Sequence, residues 1–344
     1  MSDPSRLGPT VRLAPAKLNL TLAIIGRRPD GYHALHSVMA PLALVDRLSL
    51  ALAAGPLDTL NVVSDQDLAT LGPTADNLVL RAIGAARSAL GGALPTPAVA
   101  ARLDKRIPVA AGLGGGSSDA AAALDGALEL WGAPGDTVLS SEERRRIATR
   151  LGSDVPFFQA GGLALVEGRG EQVSPLGGAI RGEPPGILLV TPAVAVSSSD
   201  VFAALSSAYS GPPGGPGGRG GASRISSEHL AGELQQGLTS QALHDRAGVL
   251  AAANDLLPAS AVVVPGLVPL RRALTRLTGR PVGLSGSGPT LWILYPGLAE
   301  AQAAALVVRS ALDDGVLVPP GDGRPFVSAT AIAASTGAAP GVPR

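Results

Sequence analysis

The stretch that decides the fold runs Ile107-Pro-Val-Ala-Ala-Gly-Leu-Gly-Gly-Gly-Ser-Ser-Asp-Ala120. Its glycines and two serines stand directly before a strongly apolar segment, Ser118 to Trp131, which predicts a buried helix. Because glycine has no Cβ, successive backbone N–H groups can converge on an anion, and the start of a helix adds a favourable dipole. The stretch therefore predicts a loop that cradles phosphate groups.

Two well-known phosphate loops do not fit this stretch. A Walker A loop needs a lysine directly after its glycines, and none follows Gly116. The dinucleotide-binding fingerprint needs a glycine where Ser117 stands. A flexible loop capped by Ser118 is the alternative interpretation in a chain that holds 45 glycines.

Phosphoryl transfer needs positive charge, an acidic residue and a hydroxyl that aligns the reacting groups. Lys17, Asp154 and Ser118 are the candidates. Lys17 lies at the start of a predicted strand of apolar side chains, although a strand-end lysine that reaches water is the alternative. Asp154 precedes Val155-Pro156, and the proline is expected to keep Val155 out of the helical region. The aspartate is therefore predicted to lie in a turn, where an ordinary Asx-turn residue is the alternative.

The composition argues against several classes of protein. The 27 basic and 27 acidic side chains balance, so no net field attracts nucleic acid or an anionic membrane. The nine aromatic residues (four Phe, three Tyr and two Trp) are too few for a base-stacking platform, and the absence of Cys excludes disulfides and thiolate chemistry. No apolar run approaches the roughly 18 residues of a membrane span. We therefore expect a cytoplasmic protein that binds a small molecule, with no nucleic acid or membrane partner.

The pattern of elements predicts two domains, residues 1–174 and 175–344. The first holds the glycine stretch and both candidate catalytic residues. The second ends in strand, helix, strand order, which predicts a small sheet layered with helices, an α+β arrangement. Residues 211–224 are nearly all Gly and Pro and predict a mobile insert, and residues 338–344 a frayed tail. Further local predictions are a strand at 37–50 broken near Pro41, a helix at 77–90, and a helix opened by a capping box at Ser140.

Several segments, in order along the chain, resemble the GHMP superfamily of small-molecule kinases. They are Ala14-Pro-Ala-Lys-Leu-Asn-Leu20, Gly26-Arg-Arg-Pro-Asp-Gly-Tyr-His33, Ala75-Asp-Asn-Leu78, the glycine stretch, Gly152-Ser-Asp-Val-Pro-Phe157, Glu167-Gly-Arg-Gly-Glu171, Asn254-Asp-Leu256 and Leu284-Ser-Gly-Ser-Gly-Pro289. The stretch Asp30-Gly-Tyr-His33 is similar to the branch whose substrate carries a cytidyl group, in the non-mevalonate route to isoprenoids.

The resemblance implies a two-domain α+β architecture, with an N-terminal ribosomal-protein-S5-like domain, a C-terminal ferredoxin-like domain and a deep cleft between them. It implies direct in-line transfer of a phosphoryl group from ATP, with Mg²⁺, to the tertiary 2-hydroxyl of the cytidyl diphosphate substrate. Lys17 and Asp154 fall on the catalytic pair, with Asp154 as the base and Lys17 as its partner. A monomer or a weak homodimer is expected.

The resemblance also assigns binding roles. ATP is expected to contact Asn77, Lys105, Pro108, Gly112, Leu113, Gly114, Gly115, Gly116, Ser117 and Ser118, and Ser118 is expected to reach Mg²⁺. The substrate is expected to contact Asn19, Tyr32, His33, Asp154, Ser198, Phe202 and Gly286. Tyr32 and Phe202 would cover the two faces of the cytosine, and His33 would bond to its edge.

The sequence departs from the superfamily pattern at a few points. Asp119 stands where an asparagine is expected, and it would add negative charge near the phosphates unless it points away. The substrate loop expected around Ser197 to Ser199 is rich in serine, and the insert at 211–224 has no counterpart. Other kinases of the superfamily, which act on mevalonate, homoserine or a sugar, are alternatives, as is a non-catalytic nucleotide-binding regulator.

Overall fold

The computed structural model describes residues 9–64, 76–177, 180–208 and 220–333. The chain forms two compact units. Of the described residues, the first unit comprises 9–16, 44–64, 76–109 and 114–159, and the second comprises 17–43, 110–113, 160–177, 180–208 and 220–333. The predicted boundary at residues 174 and 175, and the cleft that the resemblance implies, stay predictions.

Eleven strands and eleven helices are present in the described residues. The strands are β1 (Thr10–Asn19), β2 (Ala23–Arg27), β3 (His33–Leu52), β4 (Thr59–Ser64), β5 (Val99–Lys105), β6 (Ala164–Gly168), β7 (Gln172–Pro175), β8 (Gly186–Thr191), β9 (Val282–Leu284), β10 (Leu291–Tyr295) and β11 (Phe326–Ala331). The helices are α1 (Leu78–Leu90), α2 (Gly115–Leu130), α3 (Ser141–Leu151), α4 (Val155–Ala160), α5 (Ser198–Ala208), α6 (Gly220–Gln236), α7 (Ser240–Asp245), α8 (Ala247–Ala252), α9 (Leu257–Val263), α10 (Leu267–Thr278) and α11 (Leu298–Asp313).

The first unit is a sheet covered by helices. The last part of β3 pairs antiparallel with β5, with Leu48 opposite Leu103, and β5 pairs parallel with β4. Helices α1 and α2 pack together, and Ile83 and Leu124 contribute to one buried apolar cluster with the strand leucines. Alanine fills much of α2, so the helix can approach its neighbours closely and lie buried on most sides, as predicted.

Local sequence signals set the ends of these helices. Asn77 caps α1, which ends at Gly91 in a left-handed conformation, and the Ser140–Glu143 capping box opens α3. The end of α1 at Leu90 and the capping box confirm the sequence predictions, whereas the cap at Asn77 was not predicted. Helix α2 begins at Gly115, three residues earlier than predicted, directly after the left-handed Gly114.

The second unit contains the first part of β3 and a separate four-stranded antiparallel sheet. The start of β3 pairs with β2 and β6, and β6 pairs with β7. The four-stranded sheet has the order β11-β8-β10-β9, in which Val190 lies between Leu291 and Val327. Helices α10 and α11 pack against these strands, and Leu267 and Val308 belong to the apolar core between the sheet and its helices. This confirms the predicted small sheet layered with helices.

Both predictions that relied on proline are wrong. Strand β3 runs through Pro41 without a break. Its ladder with β6 ends at Met39 and its ladder with β5 begins at Arg47, so the missing N–H of Pro41 removes no bond from either. Val155 is helical, as the first residue of α4. Pro156 is tolerated there because it lies in the first turn, where its missing N–H removes no bond from the helix.

The prediction of a mobile insert at 211–224 is wrong for its last residues. Residues 220–224 form the first turns of α6. Ser223 is buried there and donates a hydrogen bond to Asp255 Oδ1 at 2.7 Å, so a tertiary contact orders a segment whose composition predicts none. Residues 211–219, and the tail predicted at 338–344, lie outside the described residues. Within the described ranges no single helix is long and apolar enough to cross a bilayer; α9 and α10 pass that test only as a pair, bent by 117°.

Candidate active site

The first part of the glycine stretch packs against a second glycine turn within the second unit. Gly112 has a left-handed φ of 76°, and a methyl group there would collide with the carbonyl oxygens of Ser285 and Gly288. Ser285 Oγ donates to the Gly112 carbonyl at 3.0 Å. Asn254 Nδ2 in turn donates to the carbonyls of the same turn, at 2.8 Å to Leu284 and 3.0 Å to Gly286. Glycine is therefore required at 112 both for its conformation and for this close approach.

The rest of the stretch, in the first unit, forms the start of α2. No side chain caps this helix, so the N–H groups of its first turn point outward as donors for an anion. Ser118 Oγ is buried and has no hydrogen-bond partner among the described residues. The start of α2 therefore offers backbone donors with the Ser118 hydroxyl beside them, and its role as a phosphate cradle stays a prediction.

That hydroxyl fits the predicted contact with Mg²⁺. A hydroxyl oxygen is a ligand that Mg²⁺ accepts, and the ion commonly takes most of its ligands from phosphates and water. Within the described ranges no group of three His, Asp or Glu side chains could hold a metal. Any Mg²⁺ bound here would therefore depend on nucleotide oxygens for most of its coordination.

Lys105 is held by two carboxylates beneath the start of α2. Its ammonium bonds to Asp46 Oδ2 and, at 2.8 Å, to Asp119 Oδ2, and all three residues are buried. Asp46 Oδ1 also accepts a hydrogen bond from the backbone N–H of Ile107 at 2.8 Å. A methyl group at Gly115 would lie 2.9 Å from Lys105 Nζ, so glycine at this position makes room for the ammonium. Asp119 therefore points to the lysine, which resolves the concern about its charge.

The charges of this cluster are coupled. Burial raises the pKa of Asp119 to about 7, although the positive charge of Lys105 lowers it and Asp46 raises it further. Burial lowers the pKa of Lys105, but Asp119 and Asp46 outweigh that effect and the pKa of Lys105 is raised above its usual value. Two carboxylates thus share one ammonium, and Asp119 can hold a proton near neutral pH. The predicted contact of Lys105 with ATP stays a prediction.

Asp154 occupies the predicted turn, between α3 and α4. The turn begins at Gly152, which ends α3 and accepts a hydrogen bond from the N–H of Val155 at 3.2 Å. A methyl group at Gly152 would lie 3.6 Å from Ser117 Oγ. The first unit therefore brings the chain around Asp154 next to the start of α2.

Within the second unit, four predicted site residues come together at Lys17. The lysine lies near the end of β1, not at the start of a strand as predicted, and is only 4% exposed. Its ammonium donates to Asn19 Oδ1. A methyl group at Gly286 would lie 3.1 Å from Lys17 Nζ and 3.3 Å from both Asn19 Oδ1 and the Gly112 carbonyl oxygen.

The residues predicted to bind cytosine lie on two elements of the second unit. Tyr32 is 53% exposed in the turn before β3, and the Arg169 guanidinium lies over its ring at 5.2 Å from the centroid. His33 stacks on Phe202, with ring centroids 5.2 Å apart and an interplanar angle of 19°. Burial, followed by the charge of Arg27, lowers the pKa of His33, so the ring is neutral near pH 7.

Other predicted residues have clear structural roles as well. The segment expected to be a serine-rich loop is the first turn of α5, so Ser198 lies on a helix, and its hydroxyl is 2.9 Å from Ser287 Oγ. Asn77 Oδ1 accepts from the Val79 N–H at 2.9 Å as the cap of α1. Pro108 is buried, and the Leu113 carbonyl accepts from the Lys17 N–H at 2.8 Å.

The sequence interpretation did not identify Asp46. Its partner is 59 positions away, so no local spacing reveals the pair. A usable signal was the lysine count: Lys17 and Lys105 are the two lysines in the whole chain, whereas every other basic side chain apart from histidine is arginine. Both lysines are buried and bonded to side-chain oxygens.

Comparison with known proteins places this geometry in a family. The profile described as GHMP kinases N terminal domain matches residues 77–162. A relative from Pelotomaculum thermopropionicum named 4-diphosphocytidyl-2-C-methyl-D-erythritol kinase is 36% identical over 307 residues, which cover 89% of this chain and 96% of the relative. The chain belongs to the family of 4-diphosphocytidyl-2-C-methyl-D-erythritol kinases. A relative of the same name from Deinococcus radiodurans is 38% identical, covering 85% of this chain and 86% of the relative.

Solved structures agree with this family. A crystal structure of 4-(cytidine 5'-diphospho)-2C-methyl-D-erythritol kinase matches with a TM-score of 0.63 and 30% identity, covering 94% of this chain and 99% of that one. The L. major mevalonate kinase in complex with R-mevalonate matches with a TM-score of 0.67 over 96% of this chain, but at 16% identity it shows the fold alone. The predicted fold class, the assignment as a small-molecule kinase and the use of ATP are therefore confirmed.

Proposed function

We propose that this chain transfers the γ-phosphoryl group of ATP to the 2-hydroxyl of 4-diphosphocytidyl-2-C-methyl-D-erythritol, a step of the non-mevalonate route to isoprenoids. The observation that carries the proposal is the likeness, along 89% of the chain, to the Pelotomaculum kinase that has this compound in its name. The uncapped start of α2 supports it, because that helix end offers donors for the phosphates.

The proposed mechanism is direct in-line displacement. Asp154 accepts or orients the proton of the 2-hydroxyl, whose oxygen bonds to the γ-phosphorus while the bond to the leaving ADP oxygen breaks. The ammonium of Lys17 offsets the negative charge of the transferring phosphoryl group, and the N–H groups at the start of α2 donate to phosphate oxygens. Mg²⁺, with Ser118 as a protein ligand, would neutralise phosphate charge when bound. No phosphoenzyme is needed.

The cytidyl group is proposed to bind at Tyr32, whose exposed ring can stack on a base. Such stacking contributes about 1 to 3 kcal/mol per base. A base placed on Phe202 would take the position that the His33 ring has now, so His33 would move to the edge of the base. Ser198, Asn19 and Gly286 are the remaining proposed contacts.

Asp154→Asn tests the catalytic assignment. The amide cannot accept the proton, so kcat is expected to fall by a factor of about 10² to 10⁴ while KM for both substrates stays nearly unchanged. Turnover is measured by ADP release at saturating ATP. A variant with near-normal kcat would show that Asp154 is not the base.

Substrate preference tests the branch. The purified enzyme is offered the cytidyl diphosphate substrate, its cytidine-free analogue, mevalonate, homoserine and galactose. We expect turnover with the first compound alone, and Tyr32→Ala is expected to raise KM for that compound without changing KM for ATP. Preference for another acceptor would assign the chain to a different substrate, and ATP binding without turnover on any of them would favour a regulator.

We also propose a cytoplasmic monomer or weak homodimer without nucleic acid or membrane partners. Sedimentation of the purified protein can check the oligomeric state.

A further inference from the structure

Helix α6, which follows the Gly/Pro-rich stretch, packs on β2 within the second unit. Two buried serines on one face of the helix make polar contacts with other elements of this unit. Ser223 donates to Asp255 Oδ1 at 2.7 Å, while Asp255 Oδ2 accepts from the N–H of Ile24 at 2.8 Å. Ser227, one turn later, is completely buried. A helix that only covered apolar surface would not need buried hydroxyls, because each must find a partner.

Ser227 joins the side chain of Thr21, which lies between β1 and β2, to that of His36 on β3. Thr21 Oγ1 donates to Ser227 Oγ at 2.9 Å and accepts from the N–H of Val38 at 3.0 Å. Ser227 Oγ and His36 Nδ1 are 2.9 Å apart, and Ser227 donates to this nitrogen when the neutral ring carries its proton on Nε2. Nε2 lies 3.8 Å from Glu167 Oε1.

Burial favours a neutral His36 ring. Burial lowers the pKa of His36, Glu167 on β6 and Glu228 on α6 raise it, and Arg224 on α6 lowers it, with a net lowering. A second proton, on Nδ1, would donate to Ser227 Oγ, which can accept from both Thr21 and His36, and the hydrogen of Ser227 would then no longer have His36 as its acceptor.

The same network continues to the amide beside Lys17. Ser37 Oγ donates to the Thr21 carbonyl at 2.6 Å, so it can only accept from Asn19 Nδ2, 2.8 Å away. The NH₂ group of Asn19 therefore faces Ser37, and its Oδ1 faces the ammonium of Lys17. All of these side chains are buried, so water cannot easily substitute for a lost partner.

We propose that α6 is a positioning element for the catalytic ammonium. Ser227 anchors Thr21, Thr21 and Ser37 fix the orientation of Asn19, and Asn19 holds Lys17 Nζ in place. None of Ser227, Thr21 and Ser37 touches a reacting atom, so each is a positioning residue. This inference rests on the proposed function, in which Lys17 acts on the phosphoryl group.

The test compares neighbouring serines on one helix. Ser227→Ala removes the buried hydroxyl, whereas Ser226→Ala removes a partly exposed hydroxyl that bonds to the Ala222 carbonyl of its own helix. Thr21→Val removes the same link from the Thr21 side without changing the shape of the side chain, whereas Thr21→Ser keeps the hydroxyl. For each variant, kcat and KM for ATP are measured per folded molecule, with the folded fraction taken from urea denaturation.

A second measurement is independent of activity. Protein labelled with [¹⁵N]lysine has side-chain ammonium signals from two lysines alone, and Lys17→Met identifies the signal of Lys17. We expect Ser227→Ala and Thr21→Val to shift that signal and to lower kcat roughly tenfold to a hundredfold with KM for ATP unchanged. Ser226→Ala and Thr21→Ser are expected to resemble the unmodified enzyme in both measurements.

Two outcomes separate this inference from the proposed function. If Ser227→Ala and Thr21→Val melt earlier but keep the kcat and the Lys17 signal of the unmodified enzyme, α6 only stabilises the fold and the inference is wrong. If Lys17→Met turns over normally, the proposed role of Lys17 is wrong, and the Lys17 signal in the other variants alone decides whether α6 positions the ammonium.

Discussion

Asp119→Asn is expected to make the protein more stable near neutral pH. The carboxyl of Asp119 is buried, and its pKa rises from 3.8 to about 7 on folding. Between these two values the folded state keeps a proton that the unfolded state has released, so stability falls as pH rises through this window. The variant has no carboxyl to ionise, and its amide oxygen can still accept from Lys105.

The size of the effect follows from the shift. At about 1.4 kcal/mol per pKa unit, the change from 3.8 to about 7 corresponds to about 4 kcal/mol once both states are ionised. The stability of Asp119→Asn relative to the unmodified protein should therefore increase between pH 4 and pH 8 by an amount on the order of 4 kcal/mol. Below pH 4 the difference should stay constant, because the carboxyl is then protonated in both states.

Urea denaturation at several pH values measures this difference. Trp131 belongs to the core of the same unit and can report its unfolding by fluorescence. Asp125→Asn on the same helix is the matched control, because that carboxylate is partly exposed and pairs with Arg144. A stability difference for Asp119→Asn that stays constant from pH 5 to pH 8 would refute the reasoning about the buried proton.

Three further predictions concern the same unit. Gly115→Ala places a methyl group 2.9 Å from the ammonium of Lys105, so we expect a lower melting temperature and a higher KM for ATP. Gly84→Ala is the control: no atom lies within 4 Å of the added methyl group, so this variant should stabilise α1 by up to about 1 kcal/mol in urea denaturation. Ser140→Ala removes the capping box of α3 and should cost about 1 kcal/mol in the same assay; no loss would mean that the cap is redundant. Burial raises the pKa of Asp58, but the paired guanidinium of Arg87 outweighs this effect, so the pKa is lowered on folding. The ionised carboxylate therefore stabilises the unmodified protein until pH falls below about 4. Asp58→Asn should remove this stability at higher pH, which acid titration of both proteins can check.

Short-range patterns predicted the parts of the fold that depend on neighbouring residues. The end of α1 at Leu90 and the capping box at Ser140 each depend on residues within a few positions, and the structure contains both as predicted. The first turns of α6 depend instead on Asp255, 32 positions from Ser223, and composition predicted disorder there. Pro41 was misjudged for a related reason, because the strand partners of β3 determine whether its missing N–H matters.

The candidate site shows the same division. The motifs named Lys17, Asn19, Gly112 and Gly286 as site residues, and these four lie together within the second unit. The motifs could not predict what holds these residues. The partner of Lys105 at Asp46 comes from another strand and carries no motif of its own.

The choice of lysine at these two positions has a physical reason. An ammonium is compact and can bond in three directions, whereas a guanidinium is a wide, planar fork. Lys105 Nζ contacts two carboxylates, and a methyl group on Gly115 would lie 2.9 Å from it. A methyl group on Gly286 would lie 3.1 Å from Lys17 Nζ. A guanidinium is wider than an ammonium, so it would approach these two glycines more closely. In a chain that otherwise uses arginine for its permanent positive charges, a buried lysine thus marks a position where the size of the cation is constrained by backbone on one side and by oxygen ligands on the other.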